Sequence, residues 1–346
     1  MPLFEKFILD SSNGKRLQPN GKKLSKGTIN NYVSTKNLLE RFCRKKDFFL
    51  RIRQERYLNL RETETERNYW KKFYKRFTDY LYHELKCHDN YVGSNIKNVK
   101  TFFNYLNKEA SVKPGNFYKL FYVRKEENSI FPLMPEELNF LIYNKEFDQR
   151  LSKRMKEVKD VFVIGCTVAL RVSDLLNLQR HSLKNVNGQV YLVVRSQKTS
   201  TDTLIKLPPY ALEILDKYKK QRQGLLPRFN KSNLNQYIKR LLESAGFTQE
   251  VSVRKSRRGQ PIELKNEKAK NKVYRFCDVA STHTMRRTAI TIMLCLGMSE
   301  HLVRKISGHS AATREFYRYL FWAQSYQDKE TEIMFEKLKQ KELRVA

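Results

Sequence analysis

His283 and Arg286 stand three residues apart in the stretch STHTMRRTAIT, His309 follows in SGHS, and Tyr317 and Tyr319 come next in EFYRYL. Far upstream, Arg171 closes an apolar run and precedes Ser173 and Asp174 in TVALRVSDLLNL. Guanidiniums, imidazoles and a phenol, with hardly a carboxylate among them, suit work on a phosphate. Two arginines converging from separate elements can grip a phosphate bidentately and neutralise the charge that builds on its non-bridging oxygens. If THTMRRTAITIML is a helix, His283 and Arg286 share one face of it. A phenol is a competent nucleophile once a base removes its proton. Ser173-Asp174 reads as an N-cap that would fix the turn holding Arg171. Taken singly, each residue has a plainer role: Arg171 as a surface or capping residue, His309 as a structural histidine, the tyrosines as core, Lys198 as a solvated turn residue.

The bulk of the chain narrows the partner. Lys and Arg outnumber Asp and Glu by 68 to 36 in 346 residues, a formal net charge of +32 spread along most of the sequence. Such a surface concentrates polyanions and gains free energy by releasing their counterions, so nucleic acid is the expected partner. No run approaches the apolar length of a membrane span. Five scattered cysteines with no C-x-x-C pair argue for a reducing interior, and MPLFEKFILD lacks the plan of a signal peptide, so a cytoplasmic setting is expected. H-E-x-x-H, Walker and G-x-S-x-G motifs are absent and no carboxylate cluster is readable, so no metal site is expected.

The positioning elements follow from periodicity. Three helical stripes occupy the first third: Ile29 to Phe42, Trp70-Phe73-Phe77-Leu81 and Ile96-Val99-Phe103-Leu106. Lys71, Lys72, Lys75, Lys97 and Lys100 lie between them and make a basic outer face, the candidate DNA-binding surface. Residues 1–20 read as an N-terminal extension, 21–110 as a helical domain and 111–131 as a linker. A second domain follows over 132–325, and 326–346 read as a C-terminal helix or tail. In the second domain an apolar helix leads to Arg171, and two strand-like runs, QVYLVVRS and TLIKLP, flank Lys198. Residues 251–275 carry nine Lys or Arg against two Glu and read as a basic hairpin lying along DNA, with Arg254, Arg257 and Arg258 as phosphate contacts.

The set as a whole resembles the tyrosine recombinase, or phage integrase, family. TVALRVSDLLNL is similar to the family's first arginine box at Arg171, Val172, Ser173, Asp174 and Leu175, with Ala169 where the family has glycine. HTMRRT is similar to the second box with Met285 for leucine, SGHS to the third, and Lys198 to the lysine of the intervening β-hairpin. The resemblance implies a mainly α chain with a small β-sheet: a helical, SAM-like core-binding domain, then an α+β catalytic domain. It implies a site-specific recombinase that cuts and rejoins DNA through a 3′-phosphotyrosyl link and a Holliday junction. In that scheme Arg171 and Arg286 stabilise the transition state, Lys198 protonates the leaving oxygen, and His283 assists proton transfer. His309 hydrogen-bonds the phosphate and Asp174 supports from behind. Two alignments of TREFYRYL select different nucleophiles. Tyr319 is preferred, with Phe316 and Leu320 in the flanking places, and Tyr317 is the second choice. No metal or other cofactor is needed, because the covalent link conserves bond energy. The implied partners are double-stranded recombination sites and three further copies of the chain in a tetramer on DNA. Whether an accessory DNA-bending or directionality protein takes part is left open, and a nucleoid-associated location follows. A type IB topoisomerase-like nicking-closing enzyme and a catalytically silent DNA-binding regulator share the scaffold and stand as the alternatives.

Overall fold

The structure, a computed structural model, describes the chain except residues 55–57, 111, 196–201, 222–223, 311–315 and 343–346, and omits the side chains of 329–330 and 336–342. The expected acid Lys198 lies outside the described residues. The chain forms two compact units, Met1–Asn128 with Arg254–Leu264, and Ser129–Val253 with Lys265–Ala346.

The first unit is built on helices α1 (Pro2–Ser12), α2 (Lys26–Lys46), α3 (Leu60–Asp79) and α4 (Asp89–Lys108). Ser25 caps α2 by accepting from the Thr28 amide, and Asn59 and Glu62 form a reciprocal capping box on α3. The apolar stripes meet in an aromatic core. Phe73 and Phe77 stack at 5.5 Å, and Phe42 meets Phe77 edge-on at 5.2 Å. Each such ring, once buried, contributes roughly 1.5–3 kcal/mol.

Residues 1–20 are not an appendage. Phe4 and Phe7 of α1 are buried in this core, and Tyr105 donates to Asp10 at 2.6 Å. The expected linker is also partly core, since Phe117, Tyr118 and Phe121 are buried there. Among the expected DNA-facing lysines, Lys71, Lys72, Lys75 and Lys97 are exposed. Lys100 departs from that expectation. Its ammonium donates to the carbonyls of Phe121 at 2.9 Å and Lys119 at 3.3 Å, and burial lowers its pKa.

The second unit begins with α5 (Pro135–Tyr143), α6 (Lys145–Arg150), α7 (Lys153–Val168) and the short α8 (Val172–Leu176). An antiparallel sheet follows, in the order β1 (Leu183–Val186), β2 (Gln189–Arg195), β3 (Asp202–Lys206), with Leu192 opposite both Leu183 and Ile205. Next come α9 (Pro209–Asp216) and α10 (Lys231–Ser244). Strand β4 (Glu250–Val251) later pairs with β7 (Tyr274–Arg275). The hairpin β5 (Arg254–Arg257) and β6 (Gln260–Glu263) leaves from between them. Helices α11 (Phe276–Val279), α12 (Thr282–Cys295), α13 (Glu300–Ser307) and α14 (Tyr317–Glu342) complete the chain. Helix α14 is continuous through 325/326, so the expected boundary between domain and tail falls inside a helix. Helix α7 is the hub of the core and packs on α5, α9, α10 and α12. Gly165 makes the last contact close: a Cβ there would stand 2.5 Å from Met285 Sδ and 2.9 Å from Met285 Cβ.

The 251–275 segment is not one hairpin throughout. Only β5–β6 forms a hairpin, and it belongs to the first unit. Its turn residues Arg258 and Gly259 adopt positive φ and donate their amides to the two oxygens of buried Asp89, each at 2.8 Å. Tyr82 donates to the same carboxylate at 2.6 Å. Arg257 donates to the Lys86 carbonyl at 2.9 Å, Arg258 pairs with Asp79, and the Ser256 amide donates to Glu126. Two of the three arginines expected on phosphate are thus engaged by protein acceptors, while Arg254 is exposed.

Candidate active site

Arg171 is delivered by the break between α7 and α8. Ala169 ends α7 in the left-handed region at φ 54°. That conformation explains a glycine preference at this position, because a Cβ there costs roughly 1–2 kcal/mol. Arg171 itself, with extended backbone, is the N-cap residue of α8, and Ser173-Asp174 lie inside the helix rather than capping it. Asp174 is buried and Ser173 is exposed.

His283 and Arg286 come from the first turns of α12. Ser281 and Thr284 form the capping box of that helix, and the Thr282 amide donates to Asn235 of α10 at 2.8 Å. Arg286 is fastened at several points. Nη1 donates to the Ala169 carbonyl at 2.7 Å, Nη2 donates to the Ser307 carbonyl, and Nη2 stands 3.4 Å from His309 Nδ1. One guanidinium therefore ties the Arg171 turn to the His309 turn. Gly308, at φ 62°, closes α13 in a left-handed cap and turns the chain so that His309 Nδ1 lies 2.8 Å from Ser307 Oγ.

These pieces share one cavity of about 520 Å³, lined by Arg171, Ser173, Lys231, His283, Arg286 and His309 together with Val172 and Leu176. The Arg286 pKa is pushed down to about 10, first by burial and then by the Arg171 guanidinium, with Tyr319 and Asp174 opposing. Two cations held close in a partly buried place can receive an anion, since an arriving phosphate relieves their repulsion.

The two tyrosines separate sharply. The Tyr319 ring is 6.2 Å from the His309 ring and is only 8% exposed, whereas Tyr317 is 62% exposed. Four of the six expected catalytic residues thus line the cavity and Tyr319 neighbours it. Lys231, at the start of α10, is a cavity residue that motif reading misses, because only the fold brings it there. Arg304 is also missed, although it stands just five residues before His309 in HLVRKISGHS; it lies outside the cavity lining and contacts Ser310 and Phe316. Among the described residues no three His, Cys, Asp or Glu side chains gather to hold a metal ion, and no helix is long and apolar enough to cross a membrane.

The family profile described as Phage integrase family matches residues 142–320, more than half of the chain. The chain belongs to the phage integrase family. Members are tyrosine recombinases, enzymes of site-specific DNA cleavage and rejoining. Solved structures share the fold at low identity. The XerH site-specific recombinase bound to palindromic difH substrate, a post-cleavage complex, is 13% identical with a TM-score of 0.59, covering 91% of this chain and 81% of that one. A lambda integrase tetramer bound to a Holliday junction is 13% identical with a TM-score of 0.57, covering 90% and 78%. The Tn1549 transposon integrase with transposon right end DNA is 14% identical with a TM-score of 0.55, covering 95% and 98%. No curated protein sequence matches the chain.

Proposed function

We propose that this phage integrase family chain cuts and rejoins its DNA sites with Tyr319 as nucleophile and Arg171, His283, Arg286 and His309 as the phosphate-binding set. The single observation that carries the reading is the shared cavity, in which two guanidiniums and two imidazoles from α8, α12 and the end of α13 meet beside the Tyr319 ring. In the forward step the Tyr319 oxygen attacks phosphorus and forms a 3′-phosphotyrosyl bond while the bond from phosphorus to the 5′ oxygen breaks. In the scheme that the family resemblance implies, the phenol passes its proton to His283 and the departing 5′ oxygen takes one from Lys198. Reversal with a second 5′ hydroxyl rejoins the strand. Burial of Arg286 and its backbone anchors support a clamp organised before DNA arrives, which lowers the reorganisation needed in the transition state.

On this reading the partners are duplex recombination sites and further copies of the chain. The solved lambda integrase tetramer on a Holliday junction makes a tetramer the assembly to test. Met334 and Phe335 of α14 are exposed and suit docking on a neighbouring copy. Truncation after Ser325 is expected to abolish assembly on DNA while leaving binding by single copies. A truncated chain that still assembles would remove α14 from the interface.

A pool of nicked duplexes with randomised cores tests the reading, because cleavage beside the nick traps the enzyme on whichever duplex it recognises. The expected result is a denaturant-resistant protein–DNA complex that forms in excess chelator, persists in Tyr317→Phe and vanishes in Tyr319→Phe. No complex from the parent, or one that needs Mg²⁺, would refute the reading.

A further inference from the structure

Arg304 sits in α13 and faces away from the bulk solvent, 9% exposed. A buried guanidinium needs partners, and its partners lie on both sides of the segment between the histidine and the tyrosine. Nη1 donates to the Ser310 carbonyl at 3.0 Å, immediately after His309. The guanidinium carbon lies 4.0 Å from the centre of the Phe316 ring, three residues before Tyr319. Nε donates to Glu300 at 2.7 Å, which fixes the plane of the fork. The Arg304 carbonyl accepts the His309 amide at 3.0 Å. Phe316 is fully buried and packs edge-on against both the His309 ring at 5.6 Å and the Tyr319 ring at 5.8 Å.

We propose that Arg304 is the positioning residue for the nucleophile, holding Phe316 by its stacked guanidinium and thereby setting the start of α14 and the Tyr319 ring against the phosphate clamp. The inference rests on Tyr319 being the nucleophile. A flat, delocalised cation can stack on a ring and donate in its own plane at once, which an ammonium cannot do. The geometry also separates binding from chemistry. Arg304 does not line the cavity that receives the phosphate. Its loss removes no residue of the clamp and acts chiefly by misplacing the attacking oxygen.

The test compares parent, Arg304→Lys, Phe316→Leu and the double variant on the duplex recovered by covalent trapping. Two quantities are read: the DNA concentration at half-maximal cleavage and the single-turnover cleavage rate at saturating DNA. The expected result is a rate lowered on the order of 30-fold in each single variant, as a small misplacement of a reacting atom produces. Half-saturation should stay within about threefold of the parent, since no phosphate contact is removed. The double variant should be no slower than the slower single one, because both changes break one contact. A parent-like rate, a loss that appears in half-saturation, or multiplied losses in the double variant would overturn the proposal. If the parent forms no covalent complex, or forms it through Tyr317, the enzymatic or nucleophile assignment fails instead, which the same gels and peptide maps report separately.

Discussion

The site turns on Arg286, whose side chain does two jobs with one planar group. It holds the Ala169 and Ser307 carbonyls, and it faces a cavity shared with Arg171. Lysine carries the charge but not the fork, so Arg286→Lys is expected to slow saturated cleavage by roughly 10²–10³-fold, the cost of removing one organised donor to a developing oxyanion. Single-turnover rates check this, and a change below about threefold would contradict it. The arginines and histidines were legible in the sequence because their order along the chain is itself a motif. Two details were not. The cap at Ser173-Asp174 is misplaced by two residues, because the left-handed Ala169 ends α7 and α8 starts directly after Arg171. Arg304 carries no motif signature, since its role arises from a ring and a carbonyl that only the fold brings to it.

Elements position these residues through two close approaches. At the α7–α12 crossing, Gly165 admits Met285, the residue next to Arg286 on α12. Gly165→Ala is expected to destabilise the chain by about 1–3 kcal/mol through overpacking. It should also lower the saturated cleavage rate at least roughly tenfold through displacement of α12. Denaturant unfolding and single-turnover rates measure the two effects, and a fully active variant would show that the notch does not set the clamp. At the other approach, Asp89 seats the β5–β6 turn. Asp89→Ala would leave two backbone amides and the Tyr82 hydroxyl without their acceptor, at a cost of about 2–4 kcal/mol. His88 adds a pH dependence. Its pKa is lowered by burial, and further by Lys255 and Arg257, with Glu126 and Asp89 opposing. The unfolded imidazole, near pKa ~6.5, therefore binds a proton that the folded one resists. Stability is full above that value and is lost as pH falls below it toward the depressed folded pKa. Amide protection of Arg258 and Gly259 should decline over this window, and His88→Gln should flatten the decline. The excess of Lys and Arg in 251–275 reads as a basic DNA-contacting hairpin, because a single buried carboxylate 169 residues before Arg258 is invisible to local pattern.

At the scale of the whole molecule, a net charge of +32 supplies the sequence-independent part of DNA binding. Replacing the exposed Lys71, Lys72, Lys75 and Lys97 with glutamine should weaken all duplexes alike and flatten the salt dependence of binding by up to about four units on a log–log plot. An unchanged slope would mark that face as merely solvated. The helical first unit was readable from its three- and four-residue apolar steps. Its first helix was overlooked because Phe4 and Phe7 give only two buried rings, too few for a stripe, and they matter only once Tyr32 and Phe102 pack on them. The central claim is that Tyr319 closes on a phosphate held by Arg171, Arg286 and His309. Mass spectrometry of the protease-digested covalent complex tests it most directly. The account predicts a nucleotide-bearing peptide with the phosphate bonded to the Tyr319 oxygen. A nucleotide on Tyr317, or on any other side chain, would contradict it.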